Sequence, residues 1–224
     1  VFRAEKSHTT RHLTEFTGID AEMNAEELKT VMDVNKNFFV YVLGKLQEND
    51  KELLEKLNIK INCPKEFPVI KFHDALKLLK EQYNHEIKDD DLDPEGERLL
   101  GKHFSEKDKS DFVFVTDYPI SARPFYHNYN ADGKTTNSYD LLYKGQEIVT
   151  GAIREHRLEL FLKQAEEKGI DVKTLEDYSV ILKYGVPVHG GFGMGLDRIV
   201  QKIADVDNVK EVVLFPRDPE RVKP

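Results

Sequence analysis

The chain has 224 residues, of which 39% are hydrophobic and 33% are charged, and its formal net charge is −8 at pH 7. This composition excludes a disordered chain, because enough apolar side chains are present to form a core, and the length suits one domain. With a single cysteine, Cys63, the chain cannot form an intrachain disulfide, which is typical of a reducing compartment.

Hydropathy and charge give further expectations. No apolar run approaches the ~20 residues that a membrane-spanning helix needs, and no secretory leader opens the chain, so we expect no membrane partner and a cytoplasmic location. Because the net negative charge repels phosphate, a nucleic-acid partner would have to meet a local basic surface. The chain opens directly on a strand-like segment at Val1, so we expect the domain to begin upstream.

The N-terminal segment is predicted to form a β-hairpin. Residues 1–5 and 15–23 have strand character, and the polar stretch 6–14 connects them. Side chains alternate between the two faces of a strand. One face is therefore predicted to carry charged and aromatic side chains together: Arg3, Glu5, Phe16, Asp20 and Glu22.

The remaining elements predict an α+β domain. Asn24 is placed to cap a long helix whose apolar residues recur at helical spacing from Leu28 to Leu46, and shorter helices are predicted after Asp74 and Pro94. Strands are predicted at 112–116, 123–126, 139–143, 147–150 and 209–215, and helices at 157–168, 175–184 and 196–204. Neighbouring strands with hairpin connections favour an antiparallel sheet flanked by helices.

A glycine-rich stretch at residues 190–195 precedes the last predicted helix. Its sequence, GGFGMG, matches neither the dinucleotide-binding G-x-G-x-x-G pattern nor a phosphate-binding P-loop. Closely spaced glycines in a strand indicate that a flat ligand or another backbone lies against it. Arg198 falls in the first turn of the helix that follows, and a helix N-terminus with a guanidinium suits a polyphosphate. A purely structural turn is the alternative.

Two acids and an arginine occur at equal intervals of seven residues on neighbouring predicted strands: Asp140, Glu147 and Arg154. Carboxylates that face each other across strands repel unless a cation or an arginine lies between them. The pattern therefore predicts either a shared cation or a surface ladder of salt bridges.

Several segments, in order along the chain, resemble one family. Four short ones resemble motifs 2 and 3 of class II aminoacyl-tRNA synthetases: FRAE (2–5), RHL (11–13), EF (15–16) and GMGLDR (193–198). Longer ones resemble the aspartyl-tRNA synthetases of archaea and eukaryotes: RPFY (123–126), SYDLLYKGQEIVTGAIREH (138–156), KYGVPVHGGFGMGLDR (183–198) and LFPRDPERVKP (214–224).

The resemblance implies roles for individual residues. Arg3 and Arg198 are the expected catalytic residues, as the motif arginines that contact the phosphates. The expected ATP site comprises Arg3, Ala4, Glu5, Arg11, His12, Leu13, Phe16, Glu147, Gly195, Leu196, Asp197 and Arg198. The expected aspartate site comprises Arg3, Asp20, Thr150 and Arg154, with Arg154 on the substrate's side-chain carboxylate. The expected Mg²⁺ ligands are Glu147 and Thr150, with Asp140 expected to serve a second Mg²⁺.

Two positions depart from the family pattern. Thr150 stands where the family usually has serine, so the hydroxyl is kept and a methyl group is added. Asp197 stands where archaeal and eukaryotic members usually have glutamate.

The implied reaction is that of ATP with L-aspartate to give aspartyl-adenylate and pyrophosphate, followed by transfer to tRNA(Asp), with Mg²⁺ required. Charging of tRNA(Asn) is left open, and a homodimer is expected for the full-length protein. Residues 1–224 are expected to be one catalytic domain, without motif 1 and without the N-terminal anticodon-binding domain.

Three alternatives stay open. Asparaginyl-tRNA synthetases also keep an arginine at the position of Arg154, although RPFY at 123–126 favours the aspartyl type. An asparagine-synthetase-like paralogue would pass the activated aspartate to ammonia. A non-catalytic relative would only bind nucleotide or RNA, and the presence of the motif arginines and acids argues against it: Arg3, Glu5, Glu147 and Arg198.

Overall fold

The computed structural model, which describes residues 1–4, 6 and 8–223, is built on a six-stranded sheet. Its strands are β1 (Gly18–Asn24), β2 (Val69–Lys71), β3 (Phe112–Thr116), β4 (Ser138–Tyr143), β5 (Gln146–Ile153) and β6 (His189–Gly195). The strand order is β1-β6-β5-β4-β3-β2, and all neighbours are antiparallel except β2 and β3. The α+β class is confirmed, with a parallel edge strand added to the expected antiparallel sheet.

Seven α-helices, counted over the described residues, accompany the sheet. They are α1 (Leu28–Asn49), α2 (Lys51–Lys56), α3 (Phe72–Tyr83), α4 (Pro94–Asp108), α5 (Leu158–Glu167), α6 (Glu176–Lys183) and α7 (Leu196–Ala204). Short 3₁₀ turns lie at Ile120–Ala122, Val172–Leu175 and Val209–Val212. Within the described part of the chain, no helix is both long and apolar enough to cross a membrane.

The helix α1 covers one face of the sheet. Its buried residues Val31, Phe39 and Leu43 recur at helical spacing and join one core cluster with Phe192 and Met194 of β6. These apolar side chains lie along one face of α1 and are buried together, while the charged residues lie on its other faces. The burial stabilises a helix of this length. The predicted long helix is confirmed.

The opposite face is covered on one half only. Helices α3 and α4 pack against β3, where Val113 and Val115 contact them, whereas Phe112 and Phe114 contact the cluster beneath α1. This alternation makes β3 a strand that is buried on both faces. The other half of that face, formed by β1, β5 and β6, borders the cavity described below.

Two predicted strands are wrong, and each has a local cause. In the segment 123–126, Phe125 packs on Phe161 of α5, and the side chain of Gln164 on the same helix donates to the carbonyl of Phe125 at 2.5 Å, so this backbone carbonyl bonds to a helix. The segment 209–215 begins with a 3₁₀ turn in place of a strand, because the side chain of Asn208 accepts a hydrogen bond from the N–H of Lys210 within that turn.

The first segment also differs from its prediction. Residues 1–4 form a single bridge, between Phe2 and Glu15, and the sheet itself begins at Gly18. Asn24 ends β1 and does not cap α1, which begins at Leu28 without a side-chain cap.

Candidate active site

A cavity of about 480 Å³ lies over the open half of the sheet. This volume falls within the ~300–1,000 Å³ of typical small-molecule sites. Its walls carry five arginines and four acids, and these side chains come from segments that are far apart in the sequence: Arg3, Arg11, Arg123, Arg154 and Arg198, with Asp20, Glu22, Glu147 and Asp197. The lining therefore carries one more guanidinium group than carboxylates, in a chain whose net charge is −8.

The glycine-rich strand β6 forms the cavity floor. Phe192 and Met194 point into the core, so the alternate residues Gly191, Gly193 and Gly195 lie on the cavity side of the strand. A Cβ at Gly193 would lie 2.7 Å from Oδ1 of Asp20 on β1. Glycine at this position is therefore what allows the Asp20 carboxylate to lie over the strand.

The predicted face of β1 is confirmed. Asp20 and Glu22 line the cavity, while Ile19, Ala21 and Met23 pack against the core. Strand alternation alone accounts for this arrangement.

A β-bulge in β5 places Glu147 and Thr150 on the same face. Leu142 pairs with Glu147 and Leu141 pairs with Val149, so the intervening Ile148 is the extra residue. Residues three positions apart in a regular strand would face opposite sides. Because of the bulge, the Glu147 carboxylate and the Thr150 hydroxyl both line the cavity.

At one end of the cavity, Arg198 joins three segments. Its Nη1 donates to the Glu147 carbonyl at 3.1 Å and lies 3.6 Å from Glu147 Oε1, and its Nε donates to the Arg11 carbonyl at 3.3 Å. The adjacent Asp197 accepts the N–H of Thr17 at 2.8 Å, which fastens the start of α7 to the segment before β1. Arg3 lies nearby, with its Cζ 5.3 Å from the ring centroid of Phe16.

Two further pairs define the opposite wall. Arg123 is 9% exposed and donates to Asp140 Oδ2 at 2.5 Å and to Thr150 Oγ1 at 3.3 Å. Arg154 donates to Glu22 Oε1 at 2.6 Å, and Glu22 is 54% exposed. Arg154 therefore pairs with Glu22 on β1 and not with Glu147, as the ladder of salt bridges among Asp140, Glu147 and Arg154 would require.

The surroundings shift the pKa of the half-buried Glu147 and of the buried His127. Desolvation by partial burial raises the pKa of Glu147, and the nearby Asp140 and Glu97 add to the shift, while Arg198 opposes it. Burial also lowers the pKa of His127 to about 3, and the nearby Arg154 and Arg123 act in the same direction. The His127 ring is thus neutral at pH 7.

The oxygen donors suit a hard divalent cation at Glu147 and Thr150. A cation there would offset the desolvation and the like-charge repulsion that together raise the pKa of Glu147. Asp140, the third expected ligand, does not line the cavity and pairs with Arg123. Among the described residues, no group of three His, Cys, Asp or Glu side chains forms a metal cluster, so a bound ion would take further ligands from the substrate or water.

Comparison with known proteins identifies the family. A model described as tRNA synthetases class II (D, K and N) matches residues 1–219. The chain belongs to this family.

Aspartate ligases are among the similar proteins. The aspartate–tRNA(Asp) ligase of Pyrococcus horikoshii is 40% identical over the whole of this chain and 52% of that protein, and the cytoplasmic aspartate–tRNA ligase 1 of Arabidopsis thaliana is 38% identical over 43% of its length. The chain thus spans about half the length of these relatives.

Solved structures have the same fold. The aspartyl-tRNA synthetase of Entamoeba histolytica matches all of this chain and 47% of its own, with a TM-score of 0.93 and 35% identity. The asparaginyl-tRNA synthetase of Pyrococcus horikoshii, solved with asparaginyl-adenylate, matches with a TM-score of 0.89 and 31% identity, over all of this chain and 52% of that one.

The synthetase fold brings most of the expected site residues together. Those that line the cavity are Arg3, Arg11, His12, Leu13, Phe16, Asp20, Glu147, Thr150, Arg154, Gly195, Asp197 and Arg198. Ala4, Asp140 and Leu196 do not line it; the Leu196 N–H donates to the Thr17 carbonyl at 3.0 Å. The expectation for Glu5 lies outside the described residues.

Sequence reasoning missed the partners that hold these side chains. Glu97 binds Arg11, Arg123 binds Asp140, and Glu22 binds Arg154. Arg123 had been assigned to a strand, and Glu97 is one of 41 acids with no distinguishing neighbours in the sequence. Only Glu22 carried a usable signal, its position on the polar face of β1.

Proposed function

We propose that the full-length protein activates L-aspartate with ATP and transfers it to tRNA(Asp). The observation that carries this proposal is the placement of Arg154 on the cavity wall, where its partner Glu22 is an exposed carboxylate that a substrate carboxylate can replace. A guanidinium binds a carboxylate through two parallel charge-assisted hydrogen bonds.

The arginines at the other end suit the phosphate chemistry. Activation is an in-line attack of a carboxylate on the α-phosphate of ATP, and like charges oppose that approach. Arg3 and Arg198 would offset this repulsion and orient the triphosphate, with the adenine ring stacked on Phe16. Arg11 and His12 would contact the outer phosphates and the acceptor end of tRNA. Asp20 would bind the α-amino group of aspartate.

Mg²⁺ is the proposed cofactor. Glu147 and Thr150 would hold it, and the bound ion would supply charge neutralisation on the phosphate oxygens. Asp140 would need to leave Arg123 to serve a second ion, and its buried pairing speaks against that role.

The remaining assignments follow from the same proposal. The relatives named aspartate–tRNA ligases support aspartate over asparagine, although some of them are named for both tRNA(Asp) and tRNA(Asn). We propose a cytoplasmic homodimer, in which motif 1 and the anticodon-binding domain belong to the part of the protein outside this chain.

Pyrophosphate exchange by the full-length protein tests the proposal, with aspartate and asparagine supplied side by side. We expect Mg²⁺-dependent exchange with aspartate and discrimination against asparagine by about 10⁴-fold, because the amide would face arginine donors with donors of its own. Preferential exchange with asparagine would support an asparaginyl enzyme. No exchange with either amino acid would support a non-catalytic relative.

A further inference from the structure

Glu97 is a buried carboxylate that no motif singled out. It lies on α4, and its side chain is 5% exposed. Oε1 and Oε2 each accept from Nη1 of Arg11 at 2.9 Å, and Oε2 also accepts the backbone N–H of Glu147 at 3.0 Å. A carboxylate this deeply buried needs partners for its charge and its lone pairs. Burial raises the pKa of Glu97, and the bonds from Arg11 and from the Glu147 N–H oppose that shift.

The helix that carries Glu97 is held rigidly against the β4–β5 turn. A Cβ at Gly101, one turn further along α4, would lie 2.4 Å from the backbone N of Gly145, and a Cβ at Gly145 would lie 2.8 Å from the Cα of Arg98. Backbones approach this closely only where both residues are glycine. The N-terminus of α4 is fixed as well, because the Asp93 side chain accepts the N–H of Gly96 at 2.7 Å. Glu97 therefore presents its carboxylate at a fixed place beneath the cavity.

The contacts of Glu97 close a ring with those of Arg198. Glu97 binds the Arg11 side chain and the Glu147 N–H, while Arg198 binds the carbonyls of the same two residues. Four segments of the chain thus fix one another: the loop before β1, α4, the start of β5 and the first turn of α7. Arg11 uses one terminal nitrogen for Glu97, and the side chain also lines the cavity.

We propose that Glu97 is a positioning residue that holds Arg11 and Glu147, the second residue of β5, in the geometry that binds the outer phosphates of ATP. This proposal rests on the proposed function, since it assigns the cavity end at Arg11 to ATP. Loss of Glu97 leaves the Arg11 side chain without its fixed partner, so ATP binding weakens while the aspartate end of the cavity, at Arg154, keeps its geometry.

The test compares Glu97→Gln with Arg11→Ala and with the double variant in the full-length protein. Glutamine keeps the size and an acceptor for the Glu147 N–H but loses the charge that holds Arg11. Hydrogen bonds to charged groups contribute about 1.5–3 kcal/mol, so we expect the Kd for ATP to rise by roughly tenfold or more in either single variant. The KM for aspartate should change by less than about twofold.

A double-mutant cycle separates positioning from a structural role. If Glu97 acts through Arg11, the double variant should bind ATP no more weakly than Arg11→Ala alone. Additive losses of ATP affinity, or equal losses toward ATP and aspartate, would overturn the proposal. Glu95→Gln is the matched control, because Glu95 lies on the same helix, is 48% exposed and pairs with Arg98 outside the cavity.

Calorimetric titration with ATP keeps the two proposals distinguishable. Aspartate-dependent exchange in the unmodified protein together with unchanged ATP affinity in Glu97→Gln would overturn the role of Glu97 alone. Absence of exchange with the expected loss of ATP affinity would overturn only the proposed function. If the unmodified protein did not bind ATP, both would fail. Should Glu97→Gln not fold, Glu97→Asp keeps the charge but withdraws the carboxylate from Arg11 by one methylene, and the same loss of ATP affinity is expected.

Discussion

Two arginines on the same wall of the cavity are held in opposite ways. Arg123 is 9% exposed, pairs with an Asp140 side chain that is 6% exposed, and has its Cζ 3.6 Å from the ring centroid of Tyr118. Arg154 is 15% exposed but pairs with Glu22, whose side chain is 54% exposed. Both guanidinium groups bind a carboxylate, and their nitrogen-to-oxygen distances are similar, at 2.5 and 2.6 Å. The pairs differ in the solvent exposure of the carboxylate.

The difference indicates which pair is exchangeable. A buried ion pair that loses one member leaves a charge unpaired in a medium of low dielectric, so Arg123 and Asp140 stay together. An exposed pair contributes little, because water solvates the carboxylate once it is released. Arg154 can therefore give up Glu22 for a ligand carboxylate, whereas Arg123 serves as a fixed part of the wall.

The largest expected effect comes from breaking the buried pair. Asp140→Asn should lower the free energy of unfolding by about 3–5 kcal/mol, because Arg123 then remains buried without the carboxylate that it is bonded to. Urea denaturation followed by circular dichroism measures this. A loss below about 1 kcal/mol would mean that Arg123 is not fixed by Asp140.

Arg3 should show the reverse pattern, with a large effect on the reaction and none on stability. It is exposed, and its Cζ lies 5.3 Å from the ring centroid of Phe16. Arg3→Ala should raise the activation free energy of adenylate formation by about 3–4 kcal/mol, because a contact that stabilises the transition state is lost. Pyrophosphate exchange measures the effect on the reaction, and a melting curve measures the effect on stability. Near-normal exchange would remove Arg3 from its proposed role.

Arg154→Leu should separate the two ends of the cavity. We expect kcat/KM for aspartate to fall by about 10²-fold or more, because charge-assisted bonds to the substrate carboxylate are lost. Nucleotide affinity should stay within about twofold. If the variant instead lost stability or metal affinity and kept its amino-acid preference, Arg154 would be structural.

A smaller effect is expected at Thr150, whose hydroxyl accepts from Arg123 at 3.3 Å. Thr150→Ser keeps that oxygen and should retain activity within about twofold. Thr150→Val keeps the shape and loses the oxygen, so exchange should fall by roughly three- to tenfold. Equal activity of the serine and valine variants would exclude a role for the hydroxyl.

The smallest effect should be that of Glu22→Gln on stability. The free energy of unfolding should change by less than about 1 kcal/mol, because the pair with Arg154 is solvent-exposed on the carboxylate side. Measured beside Asp140→Asn under the same conditions, this variant is the direct control. Equal losses in the two variants would remove the distinction between the pairs.

Sequence reasoning could predict the parts of the site that follow from local periodicity. Strand alternation placed Asp20 and Glu22 on one face of β1, and the cavity confirms this. The closely spaced glycines of β6 predicted that a flat ligand or another backbone lies against the strand, and a Cβ at Gly191 would lie 2.3 Å from the backbone carbonyl oxygen of Ala21. Each of these inferences needs only the side-chain direction within one strand.

The rest depended on contacts that periodicity does not encode. Glu147 and Thr150 share a face only because of the bulge at Ile148, which the pairing with β4 creates. Arg11 and Glu97 are 86 residues apart, and the burial of Glu97 results from the packing of α4 on the sheet. The aromatic run at 123–126 predicted a strand, but its carbonyls bond to Gln164 of α5. Tertiary partners decided each of these cases.

A crystal structure of the full-length protein with a non-hydrolysable aspartyl-adenylate analogue tests the account most directly. The exchange of partners predicts that Arg154 leaves Glu22 and binds the β-carboxylate of the analogue with both terminal nitrogens, while Arg123 remains on Asp140. A structure in which Arg154 stays on Glu22 and the carboxylate binds elsewhere would contradict it.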